Sequence, residues 1–157
     1  MRVLALSLLI AFTGIASAAS YRSIQRAADD DQMLIDAGVE PDRAQIRKPC
    51  AAAIVDIDER PNFFDCVYVQ TSRDLNLFSL EDGFLMSELQ LTLGNMDGVA
   101  LQRMGRYTQV QIFSGQRVTA LYIHDARWLD PAQTEKVYRW LLDHGVAQRA
   151  PRKWIGP

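Results

Sequence analysis

Beyond Ala18 the 157-residue sequence has no long apolar run, so nothing from Ala19 onward reads as a membrane span. Histidine and cysteine are scarce, two of each. There is no His-Glu-x-x-His, no Gly-x-Ser-x-Gly, no phosphate loop and no dinucleotide fingerprint. A metal centre or a histidine-based active site therefore has little to draw on, and neither a metal nor a cofactor is expected. Charge of neither sign dominates. Without Arg2 the chain from Ala19 carries 16 basic against 19 acidic side chains, a formal −3. That balance gives no electrostatic reason to bind nucleic acid, which needs clustered Lys and Arg against phosphate. None of the three asparagines, Asn62, Asn76 and Asn95, stands in an Asn-x-Ser/Thr acceptor.

The segment from Met1 to Ala18 has the pattern of a secretory signal peptide. Arg2 is the only charge before an apolar stretch from Val3 to Ile15, broken by Ser7, Thr13 and Gly14. Ala16-Ser17-Ala18 supplies the small residues signal peptidase accepts, predicting cleavage before Ala19. No cysteine follows the run to take a lipid anchor. The expectation is an exported protein, periplasmic or secreted, of bacterial type. Residues 19–157 form one α+β domain, of which 147–157 are a short basic tail. In an oxidising compartment Cys50 and Cys66, the only cysteines, are expected to form one structural disulfide. Their spacing is not Cys-x-x-Cys, and further zinc ligands are lacking.

The periodicity predicts an N-terminal helix over Ser20 to Ala37, with Ile24, Ala27, Ala28, Leu34 and Ile35 mostly on one stripe and Gly38 as its stop. Alternating segments follow and predict a curved antiparallel β-meander of about 5–7 strands. The segments around Ile54 and Val67 read as strands. They pair either about a tight turn near Asp58 or not as neighbours, because a disulfide needs Cα atoms within about 7 Å. Asp82-Gly83 is a two-residue hairpin turn that sets Leu80 against Leu85, Phe78 against Ser87 and Asn76 against Leu89. A turn at Ser114-Gly115 gathers Val110, Ile112, Leu121 and Ile123 on one face. Asp130 as N-cap, Pro131 at the first position and Gln133 mark a C-terminal helix ending at Gly145 and packed on the sheet. Both helices are expected on the sheet's apolar face.

Three constellations remain. His124 beside Asp125 could serve a small hydrolase. Asp56, Asp58, Glu59 and Asp65 form an acidic loop, whose bland reading is a solvated turn. Opposite the expected core, Tyr107, Gln109, Gln111, Tyr122 and His124 share a face with Phe113 at the turn, and amides interleaved with tyrosines suit protein or glycan contact. The sequence thus points to non-enzymatic binding of an envelope protein, as an inhibitor, an immunity-type protein or an accessory subunit. The alternatives are a small-ligand binder and a hydrolase using His124 and Asp125. Oligomeric state is not legible.

Overall fold

A computed structural model describes residues 21–56, 60–125 and 128–156. The segment read as a signal peptide, 1–18, lies outside the described residues, as do Asp58 and Glu59 of the acidic loop.

The expected N-terminal helix is two helices, residues 21–29 (α1) and Asp31–Asp36 (α2). The aspartate triplet is the reason. Asp30 leaves helical geometry at φ −92° and ψ 107°, and its carboxylate accepts hydrogen bonds from the Gln32 and Met33 backbone N–H groups at 2.9 and 3.2 Å. An Asp side chain that offers the backbone an acceptor breaks one helix and caps the next. Gly38, at φ +83°, then ends α2. Its N–H donates to the Ile35 carbonyl, and the Val39 N–H to the Leu34 carbonyl, which is the Schellman arrangement.

Seven strands follow: β1 (Ile46–Val55), β2 (Asn62–Gln70), β3 (Asp74–Glu81), β4 (Phe84–Thr92), β5 (Gly98–Met104), β6 (Tyr107–Ser114) and β7 (Arg117–Asp125). They form an antiparallel sheet in the order β4-β3-β2-β1-β7-β6-β5, with a short β8 (Trp128–Leu129) on β7. The arrangement is two meanders rather than one, joined where β7 returns to pair with β1. This order forces curvature. Seven flat strands would hold β4 and β5 roughly 29 Å apart, whereas the Thr92 to Gly98 connection spans at most about 20 Å. The edges accordingly bend toward each other, and Leu89 and Leu91 of β4 share one core with Val99 of β5.

Of the two arrangements left open for β1 and β2, direct pairing is the one formed, with Ile54 opposite Asn62. Cys50 stands opposite Cys66 with Cα atoms 4.8 Å apart and their sulfurs joined. Asp82 and Gly83, both at positive φ, make the β3–β4 turn, and Leu80 pairs with Leu85 and Phe78 with Ser87 as expected. Beyond that point a bulge intervenes. Leu89 pairs with Leu77, not Asn76, leaving Glu88 as the extra residue. The bulge changes faces: Leu85 packs with the N-terminal helices, while Leu89 and Leu91 enter the core. The β6–β7 loop is Gly115-Gln116, so the register lies two residues from that expected at Ser114-Gly115. A shift of two preserves the faces, and Val110, Ile112, Leu121 and Ile123 are all in the core.

The helix α3 (Pro131–Asp143) closes this core with Val137 and Leu141. Asp130 caps it, accepting from the Gln133 N–H at 2.9 Å. The N-terminal helices do not share that face. Ile24, Ala27, Ala28 and Leu34 pack on Val67, Val69, Phe78 and Leu85, which alternate with core residues and so lie on the opposite side of the sheet. Ile35, expected on the apolar stripe, is exposed.

Candidate functional site

Along β6 the side chains of Val110 and Ile112 point into the core, so Tyr107, Gln109, Gln111 and Phe113 point out. By the same alternation Tyr122 and His124 leave β7 on the outer side. The residues singled out in the sequence therefore share a face, and most of it is covered. Gln109 and Gln111 are wholly buried, and Phe113 and Tyr122 nearly so. What covers them is residues 147–156 of the same chain.

This C-terminal segment is held in two ways. Its first part runs beside the edge strand β5: the Val99 N–H donates to the Ala147 carbonyl and the Arg149 N–H to the Val99 carbonyl, both at 2.8 Å. Val146 is buried in the core, and the Arg149 guanidinium lies 5.5 Å from the Phe113 ring centre. Gly98 is needed here, since a Cβ on it would fall 2.5 Å from the Arg149 side chain.

The second part, 152–156, is gripped by side chains. The Gln111 amide accepts from the Arg152 N–H at 2.8 Å and donates to the carbonyls of Arg152 and Lys153 at 3.4 and 3.3 Å. The Gln109 amide accepts from the Ile155 N–H at 3.4 Å and donates to the Ile155 carbonyl, to which Tyr122 Oη also donates. Gln111 further donates to Gln109 Oε1 at 2.8 Å, and Gln109 donates to Tyr122 Oη. The Trp154 ring meets Tyr122 edge-on at 5.5 Å and lies 6.4 Å from Tyr107. Ile155 packs on the small apolar cluster of Ala100, Phe113 and Val118. Next comes Gly156, where a Cβ would collide with the Trp154 ring and Tyr122 Oη.

Physically, two primary amides two residues apart on one strand present the donor and acceptor of a peptide group twice over. Buried amides must be satisfied, since an unpaired one costs about 1–3 kcal/mol. These two are satisfied by each other, by Tyr122 and by the main-chain groups of Arg152, Lys153 and Ile155. The packing of Trp154 and the crowding at Gly156 add side-chain selectivity. Burial under the segment pushes the Tyr122 phenol up to about 12, partly offset by its hydrogen bond with Gln109.

The other candidates fall elsewhere. His124 sits at the far end of the face, its ring 6.5 Å from that of Tyr21 in α1. The Asp125 side chain lies outside the described residues. Asp56 is held by Arg117 through two hydrogen bonds, at 2.8 and 3.2 Å, and that contact keeps its carboxyl below the ordinary range. Phe64 tucks against the core while its neighbour Phe63 is exposed. An open groove of about 330 Å³ lies at the seam of the sheet, lined by Asp56, Gln90, Asn95, Ser114, Gln116 and Arg117 among others.

Sequence reasoning found the face but missed its cover. The tail reads as a solvated basic segment that leaves room for Trp154 to pack back, because Arg149, Arg152 and Lys153 dominate its composition; the ring does pack back, and the main chain comes with it. The further signal is Ile155-Gly156 beside Trp154, an apolar close to that segment, set against Gln109 and Gln111 alternating with Val110 and Ile112 on β6.

No family model matches the chain, and no curated protein matches it. Several solved structures are similar to it in part. A Vav1 structure bound to an allosteric inhibitor is 9% identical at a TM-score of 0.47, over 64% of this chain and 26% of that one. Human RhoA in complex with the DH/PH fragment of PDZRHOGEF is 10% identical at 0.46, over 82% and 42%. The hSac2 domain of the human phosphoinositide phosphatase Sac2 is 13% identical at 0.41, over 80% and 92%. The chain thus spans well under half the length of the first two. Likenesses this distant say nothing of what it binds. Among the described residues no helix is long and apolar enough to cross a membrane.

Proposed function

We propose that this is an exported binding protein with no reaction of its own, working in the bacterial periplasm or envelope by holding another protein. The observation that carries the reading is the pair Gln109 and Gln111, wholly buried amides that each both accept from and donate to peptide backbone. An enzyme needs reactive groups converging in a concave site. The convergent groups here are amides and phenols, suited to recognition. The Cys50–Cys66 pair, buried in the core, and the leader-like segment from Met1 to Ala18 both favour an oxidising compartment. As an inhibitor, an immunity-type protein or an accessory subunit, the chain would use the outer face of β5, β6 and β7 as its contact surface.

The test is capture from the native envelope fraction with the tagged chain, read by cross-linking and mass spectrometry. One stoichiometric protein partner, lost when Gln109 and Gln111 are both replaced by Ala, is the expected result. A folded bait that retains no partner would end this reading.

A further inference from the structure

The binding reading above leaves the ligand's chemistry open, and the C-terminal segment supplies it. We infer that residues 152–156 are a displaceable internal ligand, covering a site that takes from a partner a peptide segment with the order aromatic, aliphatic, glycine. The inference rests on the binding reading and names the kind of segment bound.

What the site grips is interchangeable. The grip on Arg152, Lys153 and Ile155 comes from the side chains of Gln109, Gln111 and Tyr122, and it falls on main-chain N–H and C=O groups. Any peptide that follows the same path, with its bend at the Lys153 position, offers the same groups at the same spacing, so nothing in this set requires the ligand to be covalently attached. The side chains of Arg152 and Lys153 are exposed and impose no choice. Choice enters at three places. At the first, an aromatic ring meets Tyr122 and Tyr107. At the second, an aliphatic side chain covers Ala100, Phe113 and Val118. At the third, only glycine fits beneath the indole and the Tyr122 hydroxyl.

The gripped part is also separable from its anchor. Residues 146–149 are tied to the body by the burial of Val146 and the two backbone bonds to Val99. The exposed Ala150-Pro151 pair joins this anchor to the gripped part, and proline brings no N–H of its own to be lost on swinging away. The outer segment can therefore leave while the anchor, the core and α3 stay in place. Only half-buried side chains, Trp154 and Ile155, come off the sheet with it, which places this opening at the low-energy end of local unfolding. A segment that occupies its own site lowers apparent affinity in proportion to the fraction of closed molecules, so weakening it raises affinity for the peptide in trans.

The probe is a synthetic peptide of residues 152–157 with a fluorophore at its N-terminus, titrated against the full chain by anisotropy. Trp154→Ala, which removes the ring that pins the internal segment, should bind the peptide at least tenfold more tightly than the native chain. Adding Gln109→Ala and Gln111→Ala should abolish that gain. Peptides with alanine in place of the tryptophan or of the glycine should bind at least tenfold more weakly. Gly156→Val, which collides with Trp154 and Tyr122, is a second way of opening the segment. Hydrogen exchange at the Arg152 amide shows that opening has occurred. An opened variant that stays folded and does not bind the peptide overturns the inference. Retention of an envelope partner by the Gln109→Ala, Gln111→Ala chain would leave the binding reading standing and remove this site. Loss of both peptide binding and partner capture would remove both.

Discussion

Gln111 and Arg152, 41 positions apart in the sequence, exchange both hydrogen bonds of a peptide group: the side-chain oxygen accepts the Arg152 N–H at 2.8 Å, and the side-chain nitrogen donates to the Arg152 carbonyl at 3.4 Å. A side chain here does what a neighbouring strand does elsewhere. The Arg152 amide should accordingly exchange slowly with solvent although its own side chain is exposed. In Gln111→Ala the net loss is about 1 kcal/mol, so exchange at Arg152 should rise roughly fivefold. The change is to be read residue by residue by NMR or mass spectrometry. The amide of Val110, inside the core strand, should be unaffected. An Arg152 amide that already exchanges freely in the native chain would show that the grip is not made in solution.

Tyr122 gives the same contact a pH dependence. Burial raises its phenol from an ordinary 10.0 to about 12. The neutral phenol is thus favoured in the folded state, and the stabilisation is complete below pH 10. It is lost as the pH rises from about 10 through about 12. Over that range the segment should lift from the sheet, and Trp154 fluorescence should report it, with Trp154→Phe as the control for Trp128 and Trp140. Burial also raises Tyr68, in the core, so Tyr122→Phe is needed to separate the two. If the fluorescence change persists unaltered in Tyr122→Phe, its origin is elsewhere.

Most of what was legible in the sequence is local. Asp82-Gly83 takes two positive φ angles in succession, Asp130-Pro131 begins a helix, and Gly38 and Gly145 end helices at φ +83° and +85°. Each needs only a few neighbouring residues to act. The β6–β7 faces survived a register error because the period of a strand is two. The unread features depend on partners far along the chain. The bulge at Glu88 exists because Leu85 must meet the N-terminal helices while Leu89 meets the core. The pairing of β1 with β7 joins segments from opposite halves of the sequence, such as Ala52 and Leu121, and no local propensity encodes it. The cover over Gln109 and Gln111 is of the same kind, since their burial can be inferred only once the tail is known to return.

The cysteine pair should behave as a structural bond closed off from solvent. Both residues are essentially buried, one on β1 and its partner directly across on β2. Native protein should take up no thiol reagent, and reductant alone should act slowly, with rapid reduction only in denaturant. Replacing both by Ala should lower stability by about 3 kcal/mol, the chain-entropy value for a separation of 16 residues. Urea unfolding of the double variant against the oxidised native chain measures this. Stoichiometric labelling of two thiols in the native exported protein would contradict the bond.

The seam between α3 and β7 permits a sharper comparison of two substitutions. Thr134 is buried and its hydroxyl does two jobs, accepting from the Ile123 N–H at 3.1 Å and donating to the Asp130 carbonyl at 2.8 Å. Asp130 supplies only the cap on the Gln133 N–H from its partly exposed side chain. Thr134→Val keeps the shape but leaves the buried Ile123 N–H unpaired, which costs about 1–3 kcal/mol, while the Asp130 carbonyl keeps the Thr134 N–H at 3.0 Å. Asp130→Ala loses a cap worth about 1 kcal/mol. For a domain of this size 1 kcal/mol moves the melting temperature by roughly 3–4 °C. Asp130→Ala should therefore drop it by about 4 °C and Thr134→Val by about twice that or more. Calorimetry on the two variants decides it. An equal or reversed order would mean that water reaches the Ile123 N–H.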